Sequence, residues 1–312
     1  MEKAILKVEN LSHRYSMQWA IQDINFGIGQ KGILGLLGSN GAGKSTTMNI
    51  ICGVLNQTKG NVFIDGINTK ENPVEARKNM GFLPQKPPLY GDLNVDEYLT
   101  YSAKLRLMDK HEIKNAVEEV KEKCGISHFS RRLIRNLSGG YQQRLGIAQA
   151  IIHNPKFIVL DEPTNGLDPN QILEIRHLIG HIAKDHAVLL STHILSEVQA
   201  ICEQIVMIEN GSLVFSGTIS DFDSYLQPNT FIASFLHPPL IDDLEAIPGI
   251  LQVESISDFE SKFRFSFDGD PDITSRVVKE SVSKGWTLTE ITLEKTSMDE
   301  IFAELSNKAR KP

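Results

Sequence analysis

Nine residues, GSNGAGKST at 38–46, limit what this chain can fold into. They follow the apolar run GILGLL at 32–37 and precede a segment whose apolar spacing is helical from Lys44 to about Cys52. Strand, glycine-rich loop and helix in that order fit G-x-x-x-x-G-K-[ST], with Gly38, Gly43, Lys44 and Ser45 at its fixed positions. Glycines let successive backbone N–H groups turn toward one anion. A helix beginning near Lys44 aims its positive end at the same anion. Lys44 would neutralise the β- and γ-phosphates of a nucleotide, and the Ser45 hydroxyl would reach Mg²⁺.

The stretch FIVLDEP supplies a second half to that chemistry. Four apolar residues carry Asp161 and Glu162 to the end of a buried strand, beside the loop if the strands are neighbours. A carboxylate at Asp161 suits Mg²⁺, and Glu162 suits an attacking water as general base. His193 ends another apolar run, in STH. A strand-end histidine is often a plain hydrogen-bonding group; beside these motifs it reads as a γ-phosphate contact.

A second glycine loop, NLSGGYQQR at 136–144, lies about a hundred residues downstream. Ser138 is a good N-cap, and Leu145, Ala148 and Ile152 continue with helical spacing. Gly139 and Gly140 expose the N–H groups at the positive end of that helix to an anion. This gives a further phosphate site without saying whose phosphate it takes.

The first ~220 residues alternate strands with helices, which argues for an α/β fold with a largely parallel sheet covered on both faces. Residues 4–11, 21–28, 60–66, 156–163 and 186–193 read as strands, and Gln171 to Lys184 as a helix. Residues 204–217 read as a hairpin turning at Asn210-Gly211. Between about 86 and 136 the spacing is helical, with Leu93, Tyr98, Leu99, Leu105, Ile113, Val117 and Val120 as its apolar positions. That segment is a helical insert outside the sheet. From about 228, after Pro228 and around Pro238-Pro239, the order becomes βαββαβ, the pattern of a small ferredoxin-like α+β domain. Its third strand alternates Phe263, Phe265 and Phe267 with polar residues, and Gly285 ends its second helix. A last helix is expected after a capping box at Ser297 and Glu300. Its stripe of Met298, Ile301, Phe302 and Leu305 would pack on its own sheet or against a second copy. The expected domains are thus 1–222 and 228–312.

A formal net charge of −7 argues against a surface that coats nucleic acid. Cys52, Cys124 and Cys202 are far apart and signal neither zinc nor a disulfide framework. The N-terminus lacks the apolar core of a signal peptide, and no apolar stretch nears the ~18–20 residues that span a bilayer. A soluble protein is expected, with any membrane role exerted through a partner.

GSNGAGKST, Gln85 in FLPQ, LSGGYQQR, VLDEP, GLD at 166–168 and STH together resemble the ATP-binding cassette (ABC) ATPases, in that family's order and spacing over residues 4–220. The resemblance implies an ATPase using ATP and Mg²⁺, acting as a homodimer packed head to tail. Each ATP would lie between the phosphate loop of one copy (Ser39, Asn40, Gly41, Ala42, Gly43, Lys44, Ser45, Thr46) and Ser138, Gly139, Gly140 and Gln142 of the other. It further implies Glu162 and His193 as catalytic with Lys44 and Gln85, Mg²⁺ held by Ser45, Gln85 and Asp161, Tyr15 stacked on adenine, and Asp168 relaying between the two sites. Residues 86–108 and 165–202 and the ending TSMDEIF are similar to the ATPases of bacterial exporters of the antibiotic-resistance and gliding-motility type, encoded apart from their permease. The implied setting is the inner face of the cell membrane, cytoplasmic and peripheral, docked on a transmembrane permease beside the helical insert. A membrane complex that uses ATP for motility or signalling is the alternative. A soluble cassette acting on ribosomes or DNA fits less well: those carry two cassettes in a chain or a long coiled-coil insert, and the insert here is short.

Overall fold

In the computed structural model, residues 4–29, 31–225, 229–237, 239–256, 261–294 and 298–308 are described. They fall into two compact units, one within Met1–Ile219 joined by the chain's end from Leu305, the other within Ser220–Glu304.

The central sheet of the first unit runs in the order Ser212–Thr218, Gln204–Glu209, Gly32–Leu37, Ala187–Ser191, Phe157–Asp161, Met80–Leu83. Its strands pair in parallel except at one edge, where Gln204–Glu209 and Ser212–Thr218 form an antiparallel hairpin. Asn210 and Gly211 turn it with φ of 48° and 76°, the left-handed pair that a tight hairpin needs. Every residue of Gly32–Leu37 and of Ala187–Ser191 is buried, as expected of strands covered on both faces. The strands of the two nucleotide motifs are not direct neighbours: Ala187–Ser191 lies between them and pairs with both. Its C-terminal end leads into Thr192 and His193, so three loop ends open on the same edge of the sheet.

A separate antiparallel sheet orders Gln18–Ile28, Leu6–Tyr15, Lys59–Ile64 and Ile67–Asn68. Its inward side chains, among them Leu6, Leu11, Ile21 and Ile24, share one apolar core with Leu34, Leu36, Met48 and Ile51. This core clamps the helix that follows the phosphate loop. The helical insert is built from Val95–Leu105 and Lys110–Lys123. Asn94 and Glu97 close a reciprocal capping box on the first, and Asp109 caps the second. Lys121 is buried inside the insert, where its Nζ bonds Asp96 (2.6 Å), Ser130 (2.8 Å) and Glu118 (3.0 Å). Tyr98, Leu99, Ile113, Val117 and Val120 are buried as their spacing required, but Leu105 is 63% exposed.

Three short elements carry no clear periodic signal in the sequence: the strand Met80–Leu83 and the helices Pro73–Lys78 and Leu195–Ile201. In the second unit the order is Thr230–Phe235, Ile241–Glu245, Ile250–Ser255, Lys262–Phe267, Ile273–Ser283, Leu288–Leu293. Numbered in chain order, its four strands lie 2-3-1-4, all antiparallel, the ferredoxin-like arrangement. Phe263, Phe265 and Phe267 turn inward, with Phe265 stacked on Phe231 at 4.5 Å. Met298, Ile301 and Leu305 of the last helix, Met298–Lys308, are buried. Ser297 of the expected capping box lies outside the described residues, as do Pro228 and Pro238. No helix among the described residues is long and apolar enough to cross a membrane.

Candidate active site

The loop between Gly32–Leu37 and the helix Lys44–Ile51 is shaped by two glycines. A Cβ on Gly38 would lie 2.1 Å from the carbonyl oxygen of Ile208. Gly43 is the residue before the helix and has φ of 112°, where a side chain would also meet Ile21 at 2.5 Å. Both positions therefore exclude any larger residue. A Cβ at Gly41 would meet nothing within 4 Å: this part of the loop faces open space.

Lys44 folds back over the loop. Its Nζ donates to Gly38 O at 2.7 Å and Ser39 O at 3.0 Å, leaving one of three N–H donors for an anion. Burial holds the Lys44 ammonium below its ordinary range, opposed by the negative charges of Glu162, Asp161 and Glu209. A phosphate would remove that penalty by supplying a close countercharge. Glu209, buried at the end of Gln204–Glu209, fixes the loop's entry: its carboxylate accepts from Ser39 N–H (3.1 Å) and Ser39 Oγ (2.6 Å). Sequence reading missed Glu209, and a single acid ending an apolar run was its only signal.

A cavity of about 250 Å³ opens in front of the loop. Asn40, Gly41, Gly43, Lys44, Ser45, Thr46, Gln85, Asp161 and Glu162 line it, joined by Ala20 and Ser191. Burial pushes the Asp161 carboxyl up, against the pull of the Ser191 hydroxyl and Lys44. Ser45, Gln85 and Asp161 present hydroxyl, amide and carboxylate oxygens to one space, the hard-oxygen set that suits Mg²⁺. Glu162 stands in the left-handed region, at φ of 49°. That conformation is uncommon for a side chain of this kind and costs about 1 kcal/mol or more. It is held by Glu162 N–H donating to Ser191 O at 3.0 Å and by the 2.8 Å contact between Glu162 Oε2 and His193 Nδ1. His193 is half exposed and reaches the site through this contact, without lining the cavity itself.

Ser39, Ala42, Tyr15 and Asp168 do not line this cavity. Ala42 is buried and locks the loop by accepting from Gly211 N–H. Tyr15 ends its strand, 52% exposed, with its ring edge-on to His13 at 4.7 Å. Asp168 caps the helix Pro169–Ile182, accepting from Asn170 N–H and Gln171 N–H at 3.0 Å.

The second glycine loop stands apart. Ser138 is the N-cap of Gly139–Ile151, as its sequence context required, but its hydroxyl makes no capping bond. Ser138 and Gly139 are exposed, and Gln142 braces the loop from behind by donating to Leu137 O at 3.1 Å. Ser138 and Gly140 line a smaller cavity of about 160 Å³ with Tyr141, Arg144, Gln171, Glu174 and Ile175. None of these residues lines the first cavity. The two glycine loops thus open on separate cavities.

Comparison with known proteins places this geometry. The family model described as ABC transporter matches residues 21–165. The chain is 33% identical over 309 residues to the bacitracin transport ATP-binding protein BcrA of Bacillus licheniformis, covering 96% of this chain and 97% of that one. It is 30% identical over 303 residues to YxlF of Bacillus subtilis (strain 168), an uncharacterized ABC transporter ATP-binding protein, covering 96% and 99%. Among solved structures, a dimeric ATP-binding cassette in a post-hydrolysis state bound to ADP and phosphate superposes with a TM-score of 0.62 at 27% identity, over 69% of this chain and 98% of that one. The chain belongs to the ABC transporter ATP-binding proteins. It is an ATP-binding, ATP-hydrolysing subunit of a transporter.

Proposed function

We propose that this chain drives export across the cytoplasmic membrane, as the peripheral ATPase of a permease carried on a separate chain. Residues 1–222 form the ATP-binding cassette in this reading, and 228–312 an accessory domain. Catalysis takes place between two copies. The observation that carries this is the separation of the half-sites: the phosphate loop and the Ser138 loop line cavities with no residue in common.

ATP lies with its β- and γ-phosphates on the N–H groups of residues 39–46 and on the spare proton of Lys44, and Tyr15 stacks on adenine. Ser45, Gln85 and Asp161 would hold Mg²⁺, which when bound neutralises charge building on the β- and γ-oxygens. Glu162 takes the proton of the attacking water. His193, held against Glu162 Oε2, fixes that carboxylate and contacts the γ-phosphate. The Ser138 hydroxyl and the N–H groups of Gly139 and Gly140 from the second copy complete the cage, with Gln142 bracing them. Asp168, capping the helix next to the second half-site, couples the two sites across the dimer.

The permease reading is supported by an apolar surface on the insert. Tyr90, Tyr101, Leu105 and Leu107 are exposed there. Arg106 ties this region to the helix Pro73–Lys78 by donating to Arg77 O, and Arg77 donates in turn to Gly53 O. Val74, on that helix, and Val54, next to Gly53, are exposed as well. A patch of this kind marks a protein interface. A transport role is supported by the likeness to a bacitracin transport ATP-binding protein, and the export direction by the likeness to a lipopolysaccharide export system ATP-binding protein of Escherichia coli, 33% identical over 219 residues.

The test is Glu162→Gln. It keeps the side chain's size and removes its basicity, so ATP binding should persist while hydrolysis slows roughly 10²-fold or more. Size-exclusion chromatography in ATP should then show a dimer that the unliganded protein does not form. Wild-type turnover by this variant would remove Glu162 from the proposed role.

A further inference from the structure

The backbone on both sides of His193 is pinned by groups that lie outside the cavity. Thr192 is fully buried. Its Oγ1 donates to Glu197 Oε2 at 2.9 Å and accepts the N–H of Ile194 at 3.1 Å. A hydroxyl has a single proton. Because the carboxylate takes it, the oxygen lone pairs are left for Ile194 N–H. The residues immediately before and after His193 are therefore locked by one oriented hydroxyl, and Glu197 sets the orientation.

Glu197 is 1% exposed, on the short helix Leu195–Ile201. Its other oxygen, Oε1, has no hydrogen-bond partner among the described residues and lies 3.8 Å from Arg176 Nη2. Arg176 Nε is buried too and has no hydrogen-bond partner among the described residues. Burial of one charge against another at this distance is a poor way to stabilise a fold, since a well-packed apolar pair is often as good or better. What the carboxylate does supply is a strong, directional acceptor for Thr192. Arg176 supplies the countercharge that lets the acceptor stay buried. It stands on Pro169–Ile182, the helix that Asp168 caps.

We propose that Glu197 is a positioning residue for ATP hydrolysis: through the Thr192 hydroxyl it holds His193 against Glu162, with Arg176 as its countercharge. This rests on the reading that His193 acts at the γ-phosphate.

The experiment measures kcat and KM for ATP on the full chain, together with thermal midpoints, for His193→Ala, Glu197→Ala, Thr192→Val, Thr192→Ser and the double variant H193A/E197A. Glu197→Ala should lower kcat about 10- to 100-fold with KM little changed, the range for a catalytic group displaced by about an ångström. Thr192→Val, which matches threonine in shape but lacks the hydroxyl, should fall likewise, and Thr192→Ser should restore most of the rate. Adding Glu197→Ala to His193→Ala should cost nothing further. If Glu197→Ala does not fold, the valine and serine variants at 192 carry the test alone. An inactive His193→Ala beside a fully active Thr192→Val or Glu197→Ala overturns this proposal and leaves the role of His193 standing. So does a double variant markedly slower than His193→Ala. A fully active His193→Ala overturns both.

Discussion

The left-handed backbone at Glu162 makes a quantitative prediction. A non-glycine residue there costs about 1–2 kcal/mol relative to an ordinary conformation. Asparagine tolerates the region better than other side chains, being several-fold enriched in it. Glu162→Asn and Glu162→Ala both remove the carboxylate and its 2.8 Å contact with His193, so these losses cancel between the two variants. What remains is backbone strain at φ of 49°. The asparagine variant should be the more stable by about 1 kcal/mol, which for a cassette of this size is a difference in thermal midpoint of about 2–4 °C. Both should hydrolyse ATP at least ~10²-fold more slowly than wild type. Differential scanning calorimetry on the nucleotide-free protein reads the first quantity, and a phosphate-release assay reads the second. An alanine variant as stable as the asparagine variant would refute the strain argument. Wild-type hydrolysis by either would refute the reason the strain is retained.

Gly38→Ala drives a methyl group to 2.1 Å from Ile208 O, so the loop must distort; a loss of roughly 3 kcal/mol or more, read by urea titration, is expected. Tyr15→Ala should weaken ATP binding about 2- to 10-fold in a fluorescent-nucleotide titration, the value of one aromatic stacking contact, without moving the thermal midpoint, because Tyr15 is half exposed. Burial, aided by nearby Arg106, pushes His153 down to about 4. In the unfolded chain it titrates near 6.5, so between those values the unfolded state binds more protons and stability falls as pH falls. The loss should reach roughly 2 kcal/mol from pH 8 to pH 5, and His153→Gln should remove that part of the slope.

The legible parts of this protein are those whose meaning is local. The phosphate loop, the strand end at Asp161 and the Ser138 helix start each occupy fewer than ten consecutive residues, and their geometry follows from glycine freedom and helix polarity. Alternation of Phe263, Phe265 and Phe267 likewise placed a strand of the second unit. The less legible parts depend on distant partners. Glu209 accepts from Ser39 although 170 residues separate them in sequence, and Glu197 matters only because the fold sets Thr192 beside it. Met80–Leu83 is four residues long, too short for a period to appear. Leu105 misled for another reason: an apolar residue at helical spacing can face a core or a partner, and periodicity does not distinguish them. The strand between the two nucleotide motifs, Ala187–Ser191, read plainly as a strand, but its insertion there needed the sheet order.

The central claim is that each catalytic pocket draws its halves from two chains, and subunit mixing tests it most directly. Ser138→Arg blocks the half donated to a neighbour, and Glu162→Gln disables the half that a chain keeps for its own nucleotide; each homodimer should be nearly inert. In a mixed dimer one pocket combines the intact phosphate loop and Glu162 of the first variant with the intact Ser138 loop of the second. An equimolar mixture of the two inert proteins should therefore regain ATP hydrolysis, roughly a quarter of the wild-type rate if pairing is random and pockets turn over independently. A mixture no faster than the sum of its parts would mean that one chain holds a whole catalytic pocket by itself.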